Sequence, residues 1–292
     1  MFDRRLPHLP DDWTVWAFSD AHGVVSGLVR ALREAGIVDD AARWIAPPRT
    51  ALVGCGDYID RGRDARGMVD LLRRLEVEAA AARGAALLAR GNHEQMALWV
   101  HEGLHDWMGT WLRYGGGTTL RSFGCEPDDV SHPVRAIEVM EQGAPGLFAW
   151  FASLPQAVRW RDVIFVHGGL PPDHGPEDLG IHTDEHLWIR SGFFEAPWPG
   201  GDFDRYRHAG IERVVFGHTP MLDGPAVFHG GHSLGIDTNA VGNPRLPTRA
   251  RKLLTLVGFP GDGDAGAIDT DFSGARFVSI PTDGAPDGAP PA

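Results

Sequence analysis

Five short polar stretches occur along the chain, and each directly follows a run of apolar residues that is typical of a buried strand. They contain aspartate, histidine and asparagine, whose side chains bind metal ions or transfer protons. Because an α/β protein places the ends of its strands together, five such loops can bring distant side chains to one place. In chain order the stretches are Ser19–Gly23, Gly56–Gly62, Gly91–Glu94, His167–Gly169 and Gly217–Thr219.

The residue types in these stretches favour a pair of divalent cations. Asp20 and His22 are separated by one residue, so in extended backbone both side chains leave the same face and can bind one ion. Asp57 could bridge that ion to a second, whose remaining ligands would come from later stretches: Asn92, His167 and His218. Imidazole, carboxylate and amide-oxygen ligands together suit Mn²⁺, Fe²⁺ or Zn²⁺. Two such ions about 3.5–4 Å apart lower the pKa of a shared water and clamp the oxygens of an in-line displacement.

The apolar runs predict the elements that hold these stretches. Strands are expected at 13–18, 51–55 and 85–89, with amphipathic helices at 24–35 and 66–83 between them. Strand, loop and helix therefore repeat three times, a pattern that predicts parallel βαβ units. In such units functional residues gather beyond the carboxyl ends of the strands.

The second half of the chain is richer in strands. Residues 94–154 predict mainly helices, whose tryptophans (Trp99, Trp107, Trp111 and Trp150) are interpreted as helix-packing residues. Short strands follow at 158–166 (two segments), 213–216, 226–229, 233–236 and 252–257. The predicted fold class is α/β, a four-layer α/β/β/α sandwich of two mixed sheets with flanking helices.

The expected domain organisation is one catalytic domain over residues 1–258, with a helical insertion at about 95–154. A tail rich in Gly, Pro and Asp follows at 259–292, in which only residues 276–280 could form a strand.

Charge and hydropathy limit the partners. The net charge of −12 argues against broad nucleic-acid binding, because phosphate backbones are held by clustered Lys and Arg. No apolar run approaches the roughly 20 residues that a membrane span needs. The first residues are polar and lack the apolar centre of a signal peptide. We expect a cytoplasmic protein without nucleic-acid or membrane partners, whose oligomeric state the sequence does not indicate.

Two of the stretches, Gly-Asp-Tyr-Ile-Asp-Arg-Gly at 56–62 and Gly-Asn-His-Glu at 91–94, resemble the calcineurin-like metallophosphoesterases. The resemblance is to their serine/threonine phosphoprotein phosphatase branch in its bacterial and phage form. All five stretches occur in that family's order, over about residues 13–241. The resemblance implies that one metal ion is held by Asp20, His22 and Asp57, and the other by Asp57, Asn92, His167 and His218.

The same resemblance assigns catalytic roles. His93 would protonate the leaving oxygen, and Asp60 would orient it, fix its tautomer and raise its pKa. Arg61 and Arg190 would bind the phosphate oxygens through their guanidinium forks. Other arginines are alternatives to Arg190: Arg159, Arg161, Arg205 and Arg207.

The implied reaction is direct attack of a metal-bridging hydroxide on phosphoserine or phosphothreonine, with phosphotyrosine and small aryl phosphates as further substrates. The expected partner is thus a phosphorylated protein or a small phosphoester, and the expected cofactors are two divalent ions, Mn²⁺ or alternatively Fe²⁺ or Zn²⁺.

Some residues depart from the family pattern. Ser19 stands where many relatives have Gly, and Asn239 replaces the Gly of an Ile-Asp-Thr-Gly stretch, in which Asp237 would be structural or support the site from behind the ligands. Gly-His-Thr-Pro at 217–220 lacks the second His of the cyclic-nucleotide and nuclease-like branches, which favours a protein phosphatase.

Two other functions fit the sequence less well. The first is a symmetrical dinucleoside tetraphosphate hydrolase, although Glu94 argues against it because that branch more often has Asp there. The second is a catalytically silent metal-binding module. A single loop with Asp20 or Asp57 could also be only a helix N-cap, a reading that five loops together make improbable.

Several other motifs are predicted to be structural. Gly115–Gly117 is interpreted as a turn, and His229–His232 as a hairpin turn between strands. Most of the remaining histidines are expected to be solvated or to cap helices, among them His101, His105, His132, His174, His182 and His186.

Overall fold

The computed structural model describes residues 6–181, 183–197, 203–242, 246–247, 250–261, 272 and 274–282. The strands are His8–Leu9 (β1), Thr14–Phe18 (β2), Thr50–Gly54 (β3), Ala85–Leu88 (β4), Ala157–Trp160 (β5), Val163–Val166 (β6), Arg213–Phe216 (β7), Ala226–Phe228 (β8), Ser233–Gly235 (β9), Leu253–Phe259 (β10) and Arg276–Pro281 (β11). The helices are Val25–Glu34 (α1), Ala65–Ala81 (α2), Asn92–His101 (α3), Trp107–Arg113 (α4), Gly116–Ser122 (α5), Pro127–Val130 (α6), Pro133–Gly143 (α7), Leu147–Ser153 (α8), Ser191–Glu195 (α9) and Asp204–His208 (α10).

These strands form two mixed sheets. The five-stranded sheet has the order β11-β10-β2-β3-β4, in which β2, β3 and β4 are parallel and β10 and β11 are antiparallel. The six-stranded sheet has the order β1-β5-β6-β7-β9-β8, with a parallel centre of β6, β7 and β9. The βαβ units predicted for the first half of the chain are therefore confirmed.

Alternation along the strands creates the layers. In β2, Val15 and Ala17 face the six-stranded sheet in a shared core, whereas Trp16 and Phe18 pack on the helical side. Both faces of the strand are buried, as expected of a parallel sheet between layers. On the outer face of the six-stranded sheet, a third cluster packs β6 and β7 against α9 and α10. The predicted four-layer α/β/β/α arrangement is confirmed.

Several local predictions differ from the structure. The strand β1 was not predicted, because two residues are too short to show a period, and it forms by parallel pairing with β5. The stretch predicted as a turn at Gly115–Gly117 begins a helix instead: Gly115 has a φ of 113°, and α5 starts at Gly116. Such a left-handed φ favours glycine, which allows α4 to be followed at once by α5.

The structure also describes the predicted turn at His229–His232 and part of the region predicted as a tail. His229–Gly231 forms a 3₁₀ turn between β8 and β9, as predicted. Within the region predicted as a tail, β11 pairs antiparallel with β10, while residues 262–271, 273 and 283–292 lie outside the described residues. In the described part of the chain, no helix is long and apolar enough to cross a membrane.

Candidate active site

The five polar stretches lie together at one edge of the sandwich. Three of them follow the carboxyl ends of β2, β3 and β4 in the five-stranded sheet, and two follow β6 and β7 in the six-stranded sheet. Parallel strands end at the same edge of a sheet, so loops far apart in sequence become neighbours. The topology thus brings together side chains that are separated by up to about two hundred positions, from Asp20 to His218.

Backbone hydrogen bonds join the first loop to the second. The amides of Asp20, His22 and Gly23 donate to the carbonyls of Gly56, Asp57 and Tyr58, at 3.1, 2.9 and 2.7 Å. These bonds continue the parallel pairing of β2 with β3 beyond the strands. The positions of the first two loops are therefore set by the backbone as well as by the side chains.

Many site residues have left-handed backbone conformations. Their φ values lie between 43° and 71°: Asp20, His22, Asp57, Asp60, Arg61 and His218. Each such non-glycine residue costs roughly 1–3 kcal/mol, and such strain concentrates at functional sites. The sharp turn that it produces points the side chain across the edge of the sheet.

The Glu94 carboxylate holds the second loop in this conformation. Oε1 accepts hydrogen bonds from the amides of Tyr58 and Ile59, at 2.8 and 3.3 Å, and Oε2 accepts from Asp57 and Gly91, both at 3.0 Å. Glu94 is fully buried. The third motif therefore orients the second through three of its amides, and not only through the ligands it contributes.

Two groups of imidazole and carboxylate atoms share Asp57. One comprises His22, Asp57 and His93, and the other comprises Asp57, His167 and His218; within each group the candidate ligand atoms lie within 4.8 Å of one another. Asp57 Oδ2 is 3.6 Å from His22 Nε2, and Oδ1 is 3.3 Å from His167 Nε2. The two oxygens of one carboxylate thus face two different imidazoles.

Asp20, the third predicted ligand of the first ion, lies beside this group. Its Oδ1 is 3.9 Å from His22 Nε2, and its Oδ2 accepts from the His218 amide at 2.9 Å and from the Ser19 hydroxyl at 2.5 Å. The Ser19 that replaces the usual glycine therefore binds a carboxylate of the site. Asp237 is buried nearby, and repulsion from it contributes to raising the pKa of Asp20.

The histidine tautomers suit metal coordination. His22 Nδ1 lies 2.7 Å from the Ile59 carbonyl, and His167 Nδ1 lies 2.8 Å from the Cys55 carbonyl. Because a carbonyl only accepts, each Nδ1 carries the proton and each Nε2 presents a lone pair. Burial lowers the pKa of His22, which favours the neutral ring that binds metals.

The amide of Asn92 gives a second test of the donor set. Its Oδ1 faces only acceptor atoms: it is 2.9 Å from His167 Nε2, 3.2 Å from His218 Nδ1 and 3.3 Å from both oxygens of Asp57. Converging lone pairs repel one another unless a cation lies among them or the amide is rotated so that its nitrogen donates to these atoms. The residues present therefore fit a divalent metal ion.

Electrostatics lead to the same conclusion. Burial, and then repulsion from Glu94, raises the pKa of Asp57 well above its usual value. Burial, and then repulsion from Asp237 and Asp57, does the same for Asp20. Buried carboxylates that repel one another are stable when they are paired or coordinate metals. A cation would remove this penalty.

Asp60 and His93 form a buried pair next to these groups. His93 Nδ1 lies 2.6 Å from Asp60 Oδ2. Asp60 is also held by residues of the helical insertion: the Trp111 indole donates to Oδ2 at 2.8 Å, and the Thr119 hydroxyl donates to Oδ1 at 2.6 Å. Burial raises the pKa of Asp60 to about 7, although these two hydrogen bonds oppose the shift.

The pKa of His93 differs from the sequence expectation. Burial, followed by the positive charge of Arg61, lowers the pKa of His93 well below its usual value, whereas Asp60 was expected to raise it. The cause is that the ring is fully buried beside a guanidinium. Asp60 does orient the ring, since Nδ1 faces it and Nε2 is left to face the site.

Trp111 and Thr119 are site residues that the sequence did not reveal. Trp111 was interpreted as a packing residue; it is fully buried, yet it also donates to Asp60. These contacts span 51 and 59 positions, and neither residue belongs to a polar loop after a strand. Tyr114 was also missed: its exposed ring lies edge-on to that of His93, with centroids 6.4 Å apart.

The Arg61 guanidinium lies between two imidazoles. NH1 is 2.8 Å from His22 Nε2, and NH2 is 3.0 Å from His93 Nε2. The Gly115 carbonyl accepts from the Arg61 amide at 3.3 Å, and a Cβ at Gly115 would lie 2.8 Å from Arg61 Cγ. The helical insertion therefore holds Arg61 from behind, and only glycine leaves room for it.

Arg190 lies on the other side of the centre. Its NH1 donates to the Thr219 hydroxyl at 3.2 Å, beside the His218 loop. Desolvation lowers its pKa, and the charges of Asp20 and Asp237 oppose that shift. The alternative arginines interact elsewhere. Arg159 donates to the carbonyls of Ala209 and Gly210, and Arg161 donates to the carbonyl of Asp11. Arg205 and Arg207 pair with acidic residues.

The segment that carries Arg190 is held by a buried histidine. His186, predicted to be solvated or to cap a helix, is fully buried; its Nε2 lies 2.8 Å from Gln156 Oε1, and its carbonyl accepts from the Gly168 amide at 2.8 Å. That prediction was wrong because the 3₁₀ turn at Glu185–Leu187 folds onto the His167 loop. His101, His105 and His132 are exposed as predicted, while His182 lies outside the described residues.

Residues 14–236 match the model of the calcineurin-like phosphoesterase family. The chain belongs to this family, and it is a hydrolase that acts on phosphoesters.

Two relatives agree with this assignment. The chain is similar to serine/threonine-protein phosphatase 1 of Salmonella typhimurium, with 28% identity over 207 residues that cover 71% of this chain and 79% of the relative. It is also similar to Shewanella-like protein phosphatase 2 of Arabidopsis thaliana, with 30% identity over 207 residues that cover 61% of this chain and 51% of the relative.

Solved structures share the fold. A cold-active protein tyrosine phosphatase matches with a TM-score of 0.59 and 19% identity, over 88% of this chain and 78% of that chain. A provisionally assigned diadenosine tetraphosphatase matches with a TM-score of 0.57 and 20% identity, over 96% of this chain and 99% of that chain. At these identities the likeness establishes the architecture alone.

The burial of His186 predicts a pH-dependent stability. Burial lowers its pKa to about 3, whereas in the unfolded chain it titrates near its ordinary value of about 6.5. As the pH falls below about 6.5 the unfolded state binds the extra proton, so folding loses stability. Between about pH 7.5 and pH 5, we expect the wild type to lose roughly 2 kcal/mol more of its unfolding free energy than His186→Gln.

Urea unfolding of both proteins at the two pH values measures this difference. The other histidines titrate in both proteins, so the comparison isolates His186. Equal pH dependence in the two proteins would show that the pKa of His186 is the same in the folded and unfolded states.

Proposed function

We propose that this chain is a dinuclear metal-dependent phosphomonoesterase that hydrolyses phosphoserine and phosphothreonine in proteins, and also phosphotyrosine and small aryl phosphates. The observation that carries the proposal is the position of the Asp57 carboxylate, whose two oxygens face His22 and His167. A carboxylate shared in this way suits a bridging ligand between two ions.

One ion would be held by Asp20, His22 and Asp57, and the other by Asp57, Asn92, His167 and His218. Such mixed nitrogen and oxygen ligands favour Mn²⁺, with Fe²⁺ and Zn²⁺ as alternatives. When bound, the pair of ions supplies an activated water as nucleophile and neutralises charge on the phosphoryl group.

The phosphate would be oriented by two guanidinium groups on opposite sides of the centre. Arg61 presents both terminal nitrogens toward His22 and His93, and its planar fork matches two phosphate oxygens. Arg190 approaches from the Thr219 side, and its segment is packed against the His167 loop. An anion between these arginines would be held in one orientation, as an in-line displacement requires.

His93 would deliver a proton from Nε2 to the leaving oxygen, because the negative charge of a bound phosphate would favour the protonated ring that burial and Arg61 disfavour in the free protein. Asp60 faces Nδ1, and Trp111 and Thr119 in turn hold Asp60, so the ring cannot rotate freely. A group fixed in this way can protonate a departing alkoxide without further reorganisation.

The substrate class rests on the relative from Salmonella, which is named a serine/threonine-protein phosphatase. The alternative is a symmetrical dinucleoside tetraphosphate hydrolase. Purified protein loaded with Mn²⁺ should release phosphate from phosphoserine and phosphothreonine peptides with a higher kcat/KM than it shows for a dinucleoside tetraphosphate. Faster cleavage of the dinucleotide would overturn the proposal, and inactivity on every phosphoester with Mn²⁺ present would indicate a silent metal-binding module.

The role of His93 predicts a dependence on the leaving group. His93→Asn should slow hydrolysis of phosphoserine peptides by roughly 10²–10⁴, the usual contribution of general acid catalysis. The loss should be much smaller for 4-nitrophenyl phosphate, because its leaving group needs no proton. Steady-state kinetics with both substrates measures the effect, and His101→Asn, on the exposed end of the same helix, is the control. A loss of equal size for both substrates would exclude the acid role.

The shared position of Asp57 predicts that both ions depend on it. Asp57→Asn should weaken the binding of both ions together, because the neutral amide removes a negative charge that both groups of ligands share. Metal content after dialysis, measured by elemental analysis, checks this result. The nearby Asp64→Asn is the control, since Asp64 caps α2 and asparagine caps equally well. Full occupancy in Asp57→Asn would contradict a bridging role.

A further inference from the structure

A cavity opens beside Arg61. It has a volume of about 430 Å³ and is lined by Arg61, Arg63, Thr118, Arg121 and Ser122. This volume lies within the range of small-ligand pockets, roughly 300–1,000 Å³. The loop that follows β3 contributes Arg61 and Arg63, and the helix α5 contributes the other three residues. All the charged residues of its lining are arginines, although the chain has a net charge of −12.

A cavity of similar size elsewhere on the molecule is neutralised. It measures about 400 Å³ and lies against α1, where Arg30 and Arg33 meet acidic residues: Glu34, Asp39 and Asp40. Arg33 pairs directly with Asp40. Arginines in a cavity lining of this protein can therefore be balanced by acidic residues. The cavity beside Arg61 differs because its lining contains no acidic residue.

Two of the three arginines that line the cavity beside Arg61, namely Arg63 and Arg121, have no acidic partner among the described residues. Over the described ranges of the chain, neither Arg63 nor Arg121 forms an ion pair, and both side chains are exposed. The adjacent Asp64 is used otherwise, since its carboxylate accepts from the Gly67 amide at 2.8 Å and caps α2. Three positive groups around one cavity raise its potential and attract an anion.

The cavity and the candidate active site share Arg61. That guanidinium contacts His22 and His93 on one side and lines the cavity on the other. A group bound in the cavity would thus lie next to the phosphate undergoing hydrolysis. Arg63 and Arg121 touch none of the candidate ligands or His93 through any hydrogen bond of the described structure, so they are free to bind a different part of the substrate.

We propose that this cavity binds a second anionic group of a phosphopeptide substrate, a carboxylate or a further phosphate close to the scissile phosphoester. The inference rests on the proposed function and adds a substrate preference to it. Guanidinium forks bind both kinds of anion through paired, charge-assisted hydrogen bonds. The site selects acidic or multiply phosphorylated segments over neutral ones.

The test compares three phosphoserine peptides that differ at positions flanking the phosphoserine: alanine, glutamate or a second phosphoserine. The wild type should cleave the two anionic peptides with a kcat/KM about three- to tenfold higher than the alanine peptide, as expected for exposed charge contacts. The preference should decrease as salt is added, because exposed charges are screened. A preference for the diphosphorylated peptide alone would identify phosphate as the anion that is bound.

The double variant Arg63→Gln/Arg121→Gln should abolish this preference and leave the hydrolysis of 4-nitrophenyl phosphate unchanged. Arg30→Gln/Arg33→Gln removes the same charge from the neutralised cavity and should retain the preference. Equal cleavage of all three peptides by the wild type, or a preference that survives in the first double variant, would overturn the inference. So would a loss confined to dinucleoside tetraphosphate hydrolysis.

Binding separates this inference from the proposed function. Fluorescence anisotropy with the same peptides and the His93→Asn protein should give the same order of affinities. If no phosphopeptide were hydrolysed by the wild type, the proposed function would fail, while the anisotropy measurement would still decide whether the cavity selects anions. Equal affinities for the three peptides would reject the cavity site alone.

Discussion

The carboxylate of Asp57 is buried between the imidazole rings of His22 and His167, and the rest of the site is arranged around it. A buried carboxylate is unfavourable unless something compensates its charge. Glu94 positions it by accepting the amides around it, but Glu94 is itself negative and adds to the repulsion. The His93 amide donates to it at 3.1 Å, and Arg61 offsets part of its charge. A cation would offset the rest, with the Nε2 atoms of His22 and His167 presenting lone pairs toward it. The arrangement of Asp57 that suits a metal ion is therefore unfavourable for the stability of the protein when no ion is bound.

The packed sandwich around the site stabilises this unfavourable arrangement. The loops are linked by backbone hydrogen bonds, and the strands that precede them are buried on both faces. Glycine permits the closest approaches: a side chain at Gly91 would overlap the Asp57 backbone and carboxylate. Left-handed residues at the ends of β2, β3 and β7 are maintained by this surrounding packing. A rigid support of this kind keeps catalytic groups in one geometry when substrate arrives.

Under the proposed function, two parts of the molecule would bind the phosphate. The helical insertion contacts Asp60 through Trp111 and Thr119, and contacts Arg61 through Gly115. Arg190 lies on the segment between β6 and β7, next to the 3₁₀ turn that contains the buried His186. A phosphate bound by both arginines would therefore lie between these two parts of the chain. The cavity beside α5 lies on the insertion side, so variation in that helix would alter the proposed substrate preference without changing the proposed metal ligands.

The residues that could bind metal were evident from the sequence because chemistry of this kind is local: each loop carries its Asp, His or Asn directly after a short apolar run, which predicts a buried strand. Trp111, Thr119 and His186 were not evident, since their roles depend on contacts with residues 30 to 59 positions away and their own surroundings in the sequence are ordinary. The lowered pKa of His93 and the uncompensated charge of Arg63 and Arg121 likewise depend on burial and on neighbours from other elements. Side-chain type and strand pattern are properties of the chain, whereas burial, electrostatic surroundings and cavities exist only after the layers have packed.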